Sequence, residues 1–112
     1  MIDISEGVLL FNDCDFFAAH DFFEEVWMSA IKSEKEFFQG LVQISVGSFH
    51  LICGNKNGAK SQLTKGKFKL EQYLPSFYNV NIIKLVSELS ILVEKIEVKD
   101  IFNLIPKIEL TT

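Results

Sequence analysis

Arginine is absent from the 112 residues, and all eleven basic side chains are lysines. The planar guanidinium group of arginine is the preferred partner for bidentate contacts with phosphate and guanine. The formal charge is also negative, at −4 at pH 7. We therefore expect no nucleic-acid partner.

Cysteine and long apolar runs are also scarce. Two cysteines, Cys14 and Cys53, are too few for a disulfide framework, and we expect free thiols near helix ends. The N-terminus has no basic segment before its apolar run, so no secretory signal is expected. The longest apolar segment, 37–53, is interrupted by two Gln, one His and two Gly, whereas a membrane span needs about 20 predominantly apolar residues. These features predict a cytoplasmic protein without a membrane partner.

Apolar side chains, by contrast, are abundant. Hydrophobic residues make up 48% of the chain, and eleven residues are Phe. This composition indicates a packed interior rather than disorder, and the length fits one domain over residues 1–112.

The apolar period predicts an all-α fold without strands, a small bundle of antiparallel helical hairpins around one central apolar helix. The third predicted helix is central because no charged residue occurs between Phe37 and Asn55. Asp13 or Asp15 is the expected N-cap of the second helix. The five predicted helices cover residues of about 4–12, 15–32, 35–53, 57–73 and 81–96.

A histidine and a glutamate interrupt the apolar stretch FFAAHDFFEEVWMSA at residues 16–30. His20 and Glu24 are one helical turn apart, at the edge of the apolar arc, while Asp21 points to solvent. The third helix has a narrow polar stripe of Gln39, Gln43 and His50. A turn near 33–34 would make the two helices antiparallel, with Glu24 level with Gln43 and His20 level with Val46 and Gly47. The expected result is a buried polar cluster inside a shell of Phe16, Phe17, Trp27 and Phe49.

This cluster has two interpretations. In the functional one, His20, Glu24 and His50 supply the three protein ligands of a catalytic metal, zinc or manganese, with Asp13 as a spare oxygen ligand. His20 and Glu24 are then the candidate catalytic residues. A small molecule would bind in a pocket lined by Asn12, Phe16, Trp27, Gln39 and Gln43.

In the structural interpretation, a hydrogen bond between His20 and Glu24, held by Gln39 and Gln43, sets the register of two helices. The stretch HDFFE is not the metalloprotease pattern HExxH, because Glu24 replaces the second histidine and Asp21 replaces the glutamate base. A lysine run at residues 56–69 is either a face that binds an anion or an acidic partner, or an ordinary solvated face.

Two blocks of the chain resemble a known family. The blocks FNDCDFFAAHDFFEEVW, at 11–27, and FFQGLVQISVGSFHLICGNKNGA, at 37–59, resemble the bacterial and archaeal family called domain of unknown function 309. The resemblance covers about residues 6–75, and the compatible fifth helix extends the family-like core to about residue 96, leaving a tail at 97–112. Asp21 departs from the pattern, where the family usually has Glu. The matching residues are Phe11, Asn12, Phe16, Phe17, Ala19, His20, Glu24 and Trp27, then Gln39, Gly40, Leu41, Gln43, His50, Gly54, Asn55, Gly58 and Ala59.

The resemblance implies a small all-helical bundle and a metal-dependent hydrolase, the label that members often carry. The alternative is a non-enzymatic helical interaction module or homodimer, in which the polar cluster is structural and an outer apolar face binds another copy or a protein partner.

Overall fold

The computed structural model describes residues 1–98 and 100–111. Within them the predicted helical bundle is confirmed. Its α-helices are α1 (Ser5–Asn12), α2 (Phe16–Ser29), α3 (Lys32–Ile52), α4 (Lys56–Glu71) and α5 (Ile82–Glu94), and a 3₁₀ helix covers Ile101–Leu104.

Helix α3 is the centre of the bundle, as its apolar sequence predicts. It packs against α2 on one side and α4 on another, and Phe37, Phe38 and Leu41 are fully buried. The α3–α4 contact is close because glycines meet there: a Cβ atom on Gly66 would lie 2.9 Å from the backbone oxygen of Gly40. Only residues without a side chain let two helix backbones approach to this distance.

Side-chain caps start three of the helices. The Asp15 carboxylate accepts a hydrogen bond from the backbone N–H of Ala18 at the start of α2 (3.4 Å). The Asn55 and Asn81 side chains accept equivalent bonds at the starts of α4 and α5. Each cap satisfies a backbone donor that has no partner inside its helix, so the caps and the apolar period together set these helix starts.

The break between α2 and α3 comes earlier than predicted. Ala30 and Ile31 are extended, with ψ angles of 149° and 158°, so the turn lies about three residues before the expected position at 33–34. Ile31, predicted for the buried arc of α2, is consequently exposed. Helix α3 starts at Lys32, three residues before the predicted start at 35, and the apolar period alone does not indicate this extension.

A small β-hairpin is the feature that the sequence does not predict. Strands β1 (Ser76–Phe77) and β2 (Val80–Asn81) pair antiparallel, with Phe77 opposite Val80. Tyr78 and Asn79 form its two-residue turn with positive φ angles of 52° and 60°, which is the left-handed geometry such turns require. Strands of two residues are too short to show an alternating pattern, so periodicity cannot reveal them.

The C-terminal tail packs back on the bundle, as expected. Asn12 holds it there: its side-chain amide donates to the Ile108 carbonyl (2.9 Å) and accepts from the Ile108 N–H (2.7 Å). Ile101 and Ile108 are buried, and Leu110 forms an isolated bridge with Val80. Among the helices of the described residues, none is both long and apolar enough to cross a membrane.

Candidate functional site

A shallow groove lies between α2 and α3 on the surface of the bundle. Phe17 and His20 line it from α2, Val46 and Phe49 line it from α3, and its volume is about 180 Å³. The Phe17 and Phe49 rings meet edge to face, with centroids 5.7 Å apart. His20 therefore lies level with Val46, which is the predicted register, even though the turn between the helices was placed incorrectly.

His20 lies between two carboxylates of its own helix. Its Nε2 atom is 3.1 Å from Oε2 of Glu24, and its Nδ1 atom is 3.2 Å from Oδ1 of Asp21. The contact with Glu24 is a hydrogen bond, whereas the contact with Asp21 is within ion-pair distance. Asp21, expected to point away into solvent, is exposed but contacts His20.

The expected burial of this cluster is wrong. The His20 side chain is 25% exposed, and that of Glu24 is 50% exposed. The fully buried side of α2 is narrower than the predicted arc, because it faces α1 and α3 through Phe16, Ala19 and Phe23. Glu24 lies roughly 100° away from the Phe23 direction at ~100° per residue, and among residues 1–98 and 100–111 no helix covers that side.

The polar stripe of α3 does not complete the cluster. Gln39, Gln43 and His50 are half-buried, and within residues 1–98 and 100–111 no hydrogen bond joins their side chains to His20 or Glu24. Oε1 of Gln43 is buried without a hydrogen-bond partner in the same part of the chain. The stripe is therefore a separate feature of the α3 surface rather than the second half of a buried network.

The placed side chains do not fit a three-ligand metal centre. Among the described residues, no three His, Cys, Asp or Glu side chains are grouped so that they could hold one ion. His50 does not join the pair of His20 and Glu24, and Asp13 is exposed in the turn after α1.

The other predicted pocket residues have separate environments. The Asn12 side chain is hydrogen-bonded to Ile108 of the C-terminal tail. Phe16 is buried, and its ring centroid lies 5.0 Å from that of Phe11. Trp27 is half-buried and has two contacts with Lys35. The Lys35 ammonium group donates a hydrogen bond to the backbone oxygen of Trp27 (2.9 Å), and it lies 5.2 Å from the centroid of the Trp27 ring. These three side chains thus do not gather around one small-molecule cavity.

Sequence reasoning missed the exposed apolar side of α2. Three apolar side chains are exposed here. Phe17, in the first turn of α2, is 58% exposed; Met28 is exposed near the end of the helix, and Ile31 just after it. The signal was in the spacing, since Phe17, Glu24 and Ile31 recur every seven residues. This spacing does not by itself indicate exposure, because the same positions also fit the edge of a buried apolar arc.

Acidic and basic residues are distributed unevenly along the chain. Residues 1–31 carry seven carboxylates and no lysine, whereas residues 32–112 carry eight carboxylates and eleven lysines. At the groove, Asp21 and Glu24 are exposed, and their carboxylates contact His20. The groove is thus an apolar depression with an acidic border.

The lysine run lies on α4, the helix on the other side of α3. Lys56, Lys67 and Lys69 each lie within 4 Å of a carboxylate, those of Glu97, Glu71 and Glu36 respectively. Cys14 and Cys53 are free and exposed, as predicted.

A family match coincides with this region. The family model described as "Domain of unknown function (DUF309)" matches residues 4–62. The chain belongs to the DUF309 family. The matched segment contains α1, α2, α3 and the first part of α4, and it therefore contains every residue that lines the groove. This confirms the resemblance seen in the two sequence blocks. No curated protein matches the chain.

Proposed function

We propose that this member of the DUF309 family is a helical protein-binding module, and that the groove between α2 and α3 receives one apolar side chain of the partner. The observation that carries the proposal is the exposed aromatic ring of Phe17 beside a groove of about 180 Å³. That volume equals about six water molecules at ~30 Å³ each, comparable to a large apolar side chain. Burying such a side chain stabilises a complex by about 1.5–3 kcal/mol.

The surroundings of the groove favour a basic amphipathic helix as the partner. Phe17 and Met28 are eleven residues apart, or about 16 Å along the helix axis at ~1.5 Å per residue, so a partner of about three turns can lie along α2. Such a helix would place one apolar side chain in the groove and lie with its axis along α2. The carboxylates of Asp21 and Glu24 lie beside His20 at the edge of this surface, so lysine or arginine on the partner would complement it.

A titration with a synthetic helical peptide tests this function. The probe has leucines along one face and lysines elsewhere, and Trp27, the one tryptophan of the chain, reports binding by fluorescence. We expect saturable binding that weakens at least tenfold in Phe17→Ser, because one apolar anchor contributes about 1.4 kcal/mol or more.

The matched control is Ile83→Ser on α5, since Ile83 is 59% exposed, close to the exposure of Phe17. It should bind the peptide as the unmodified protein does. A peptide of the same composition with scrambled order should not bind. Equal affinity of the unmodified protein and Phe17→Ser would overturn the proposal.

A divalent metal bound to His20, Glu24 and His50, as in a metal-dependent hydrolase, is the second function that we propose to test. The supporting observation is the 3.1 Å contact between His20 and Glu24, which puts two ligand-type side chains together. His20 would have to leave Asp21, and His50 would have to rotate toward the pair.

Elemental analysis tests the second function. The protein is purified without a tag, chelator or added metal, in parallel with His20→Ala and His50→Ala. The hydrolase proposal expects near-stoichiometric zinc or manganese that both substitutions remove. Metal content that is the same in all three proteins would refute it.

A further inference from the structure

We propose that the partner helix is α4 of a second copy of this chain, with Phe68 of one copy placed in the α2–α3 groove of the next. This inference rests on the proposed function and names its occupant. The contact joins two different surfaces, so the copies associate head to tail.

Phe68 is the proposed anchor because it presents an apolar ring on a helix surface that is otherwise polar. The groove that it would enter is also apolar. Phe68 is 69% exposed in the last turn of α4, and no other apolar side chain of that helix is exposed within the described residues. Ser61, Thr64 and Lys65 are exposed one to two turns before it. An isolated exposed aromatic ring on an otherwise polar helix surface has the form of a binding anchor.

The charges of the two surfaces are complementary. Helix α4 carries five lysines and one carboxylate, Glu71. Among residues 1–98 and 100–111, no carboxylate lies within ion-pair distance of Lys60 or Lys65. Lys60 and Lys65 precede Phe68 by eight and three residues on α4. Their ammonium groups would face the carboxylates of Asp21 and Glu24, which border the groove.

Charge also argues against a symmetric contact through the groove. A two-fold axis would pair the acidic face of α2 with the same face of the second copy, and like charges brought together destabilise a complex. A contact between α2 and α4 pairs opposite charges instead. Such heterologous contacts produce rings where the rotation closes and open chains where it does not.

Light scattering against protein concentration gives the first measurement. We expect the average mass to rise above that of the monomer at low salt. Association should weaken strongly at about 1 M salt, where the Debye length falls from about 30 Å at 0.01 M to about 3 Å. A protein that stays monomeric at low salt across the micromolar range would overturn this inference.

A complementation experiment then tests the pairing itself. Phe17→Ser lacks the groove anchor and Phe68→Ser lacks the helix anchor, so each variant alone should be monomeric. An equimolar mixture should form a dimer, because one variant keeps an intact α4 and the other an intact groove. Both side chains are exposed, so neither change removes a core residue, and Ile83→Ser should associate as the unmodified protein does.

The outcomes separate this inference from the proposed function. Normal association of Phe68→Ser, or a mixture that stays monomeric, overturns the head-to-tail contact. If the synthetic basic peptide still binds in a Phe17-dependent way, the binding function stands and its partner is another protein. If the peptide also fails to bind, both proposals fall.

Discussion

Phe37→Ala is expected to lower the free energy of unfolding by about 3–5 kcal/mol, the range for removing a buried aromatic side chain. Phe37 is fully buried. Its ring centroid lies 4.9–5.7 Å from those of four other aromatic side chains. These rings belong to α3, to the segment after α4 and to the hairpin, and they are those of Phe38, Tyr73, Phe77 and Tyr78.

The loss has two sources. The apolar surface of the ring no longer contributes to burial, and the surrounding rings cannot fully close the cavity because they are held by other contacts. Tyr78 illustrates this restraint, since its hydroxyl donates a hydrogen bond to Glu34 of α3. Burial, together with that bond, raises the pKa of the Tyr78 hydroxyl, so the phenol stays neutral and keeps donating.

Urea unfolding followed by circular dichroism measures the change. Phe68→Ala is the matched control, because it makes the same chemical change on an exposed side of α4. It should alter the free energy of unfolding by no more than about 0.5 kcal/mol in dilute, high-salt solution. Similar effects from both substitutions would show that the aromatic cluster does not hold the core together.

Gly66→Ala is expected to destabilise the protein by about 1–3 kcal/mol, the usual cost of an overpacked core. In an exposed helix the same change stabilises by roughly 0.5–1 kcal/mol, so the predicted sign is the opposite of the ordinary one. The reason is contact with backbone: the new Cβ would lie 2.9 Å from O of Gly40 and 3.1 Å from N of Ile44. Neither backbone atom can move without shifting α3 away from α4.

The thermal midpoint of unfolding tests this prediction. Ser61→Ala, on the exposed side of the same helix, is the control and should leave the midpoint unchanged or raise it slightly, because alanine favours helix more than serine does. A higher midpoint in Gly66→Ala would mean that α3 and α4 do not need the close approach that the structure shows.

Local features of the chain were predictable because they depend on neighbouring residues. The period of apolar side chains gave five helices, and Asp15 was one of two expected caps. The register of α2 on α3 was also correct, since His20 and Val46 share one groove. The turn at Ala30 and Ile31 was misplaced because both residues fit the apolar period of α2, and nothing local signals their extended backbone.

The candidate site was predictable only in its position. His20 and Glu24 were expected to be buried, and the error came from treating the edge of an apolar arc as covered. Whether an edge position is covered depends on which helix packs beside it, and no helix of the described residues covers Glu24. Asp21 shows the same limit, because a helical wheel gives the direction of its Cβ atom but not the rotamer that brings its carboxylate to His20.

By itself, the sequence determined the helical class, the central position of α3, most helix ends and the residues of the DUF309 family. These features depend on periodicity, capping and motifs, which involve residues close together in the chain. The tertiary structure alone decided three other features. It placed Ile108 on Asn12, 96 positions earlier in the chain; it left Phe17 and Phe68 exposed; and it separated the stripe of α3 from His20. Each depends on which surfaces meet when the helices pack, and that arises from contacts between distant residues.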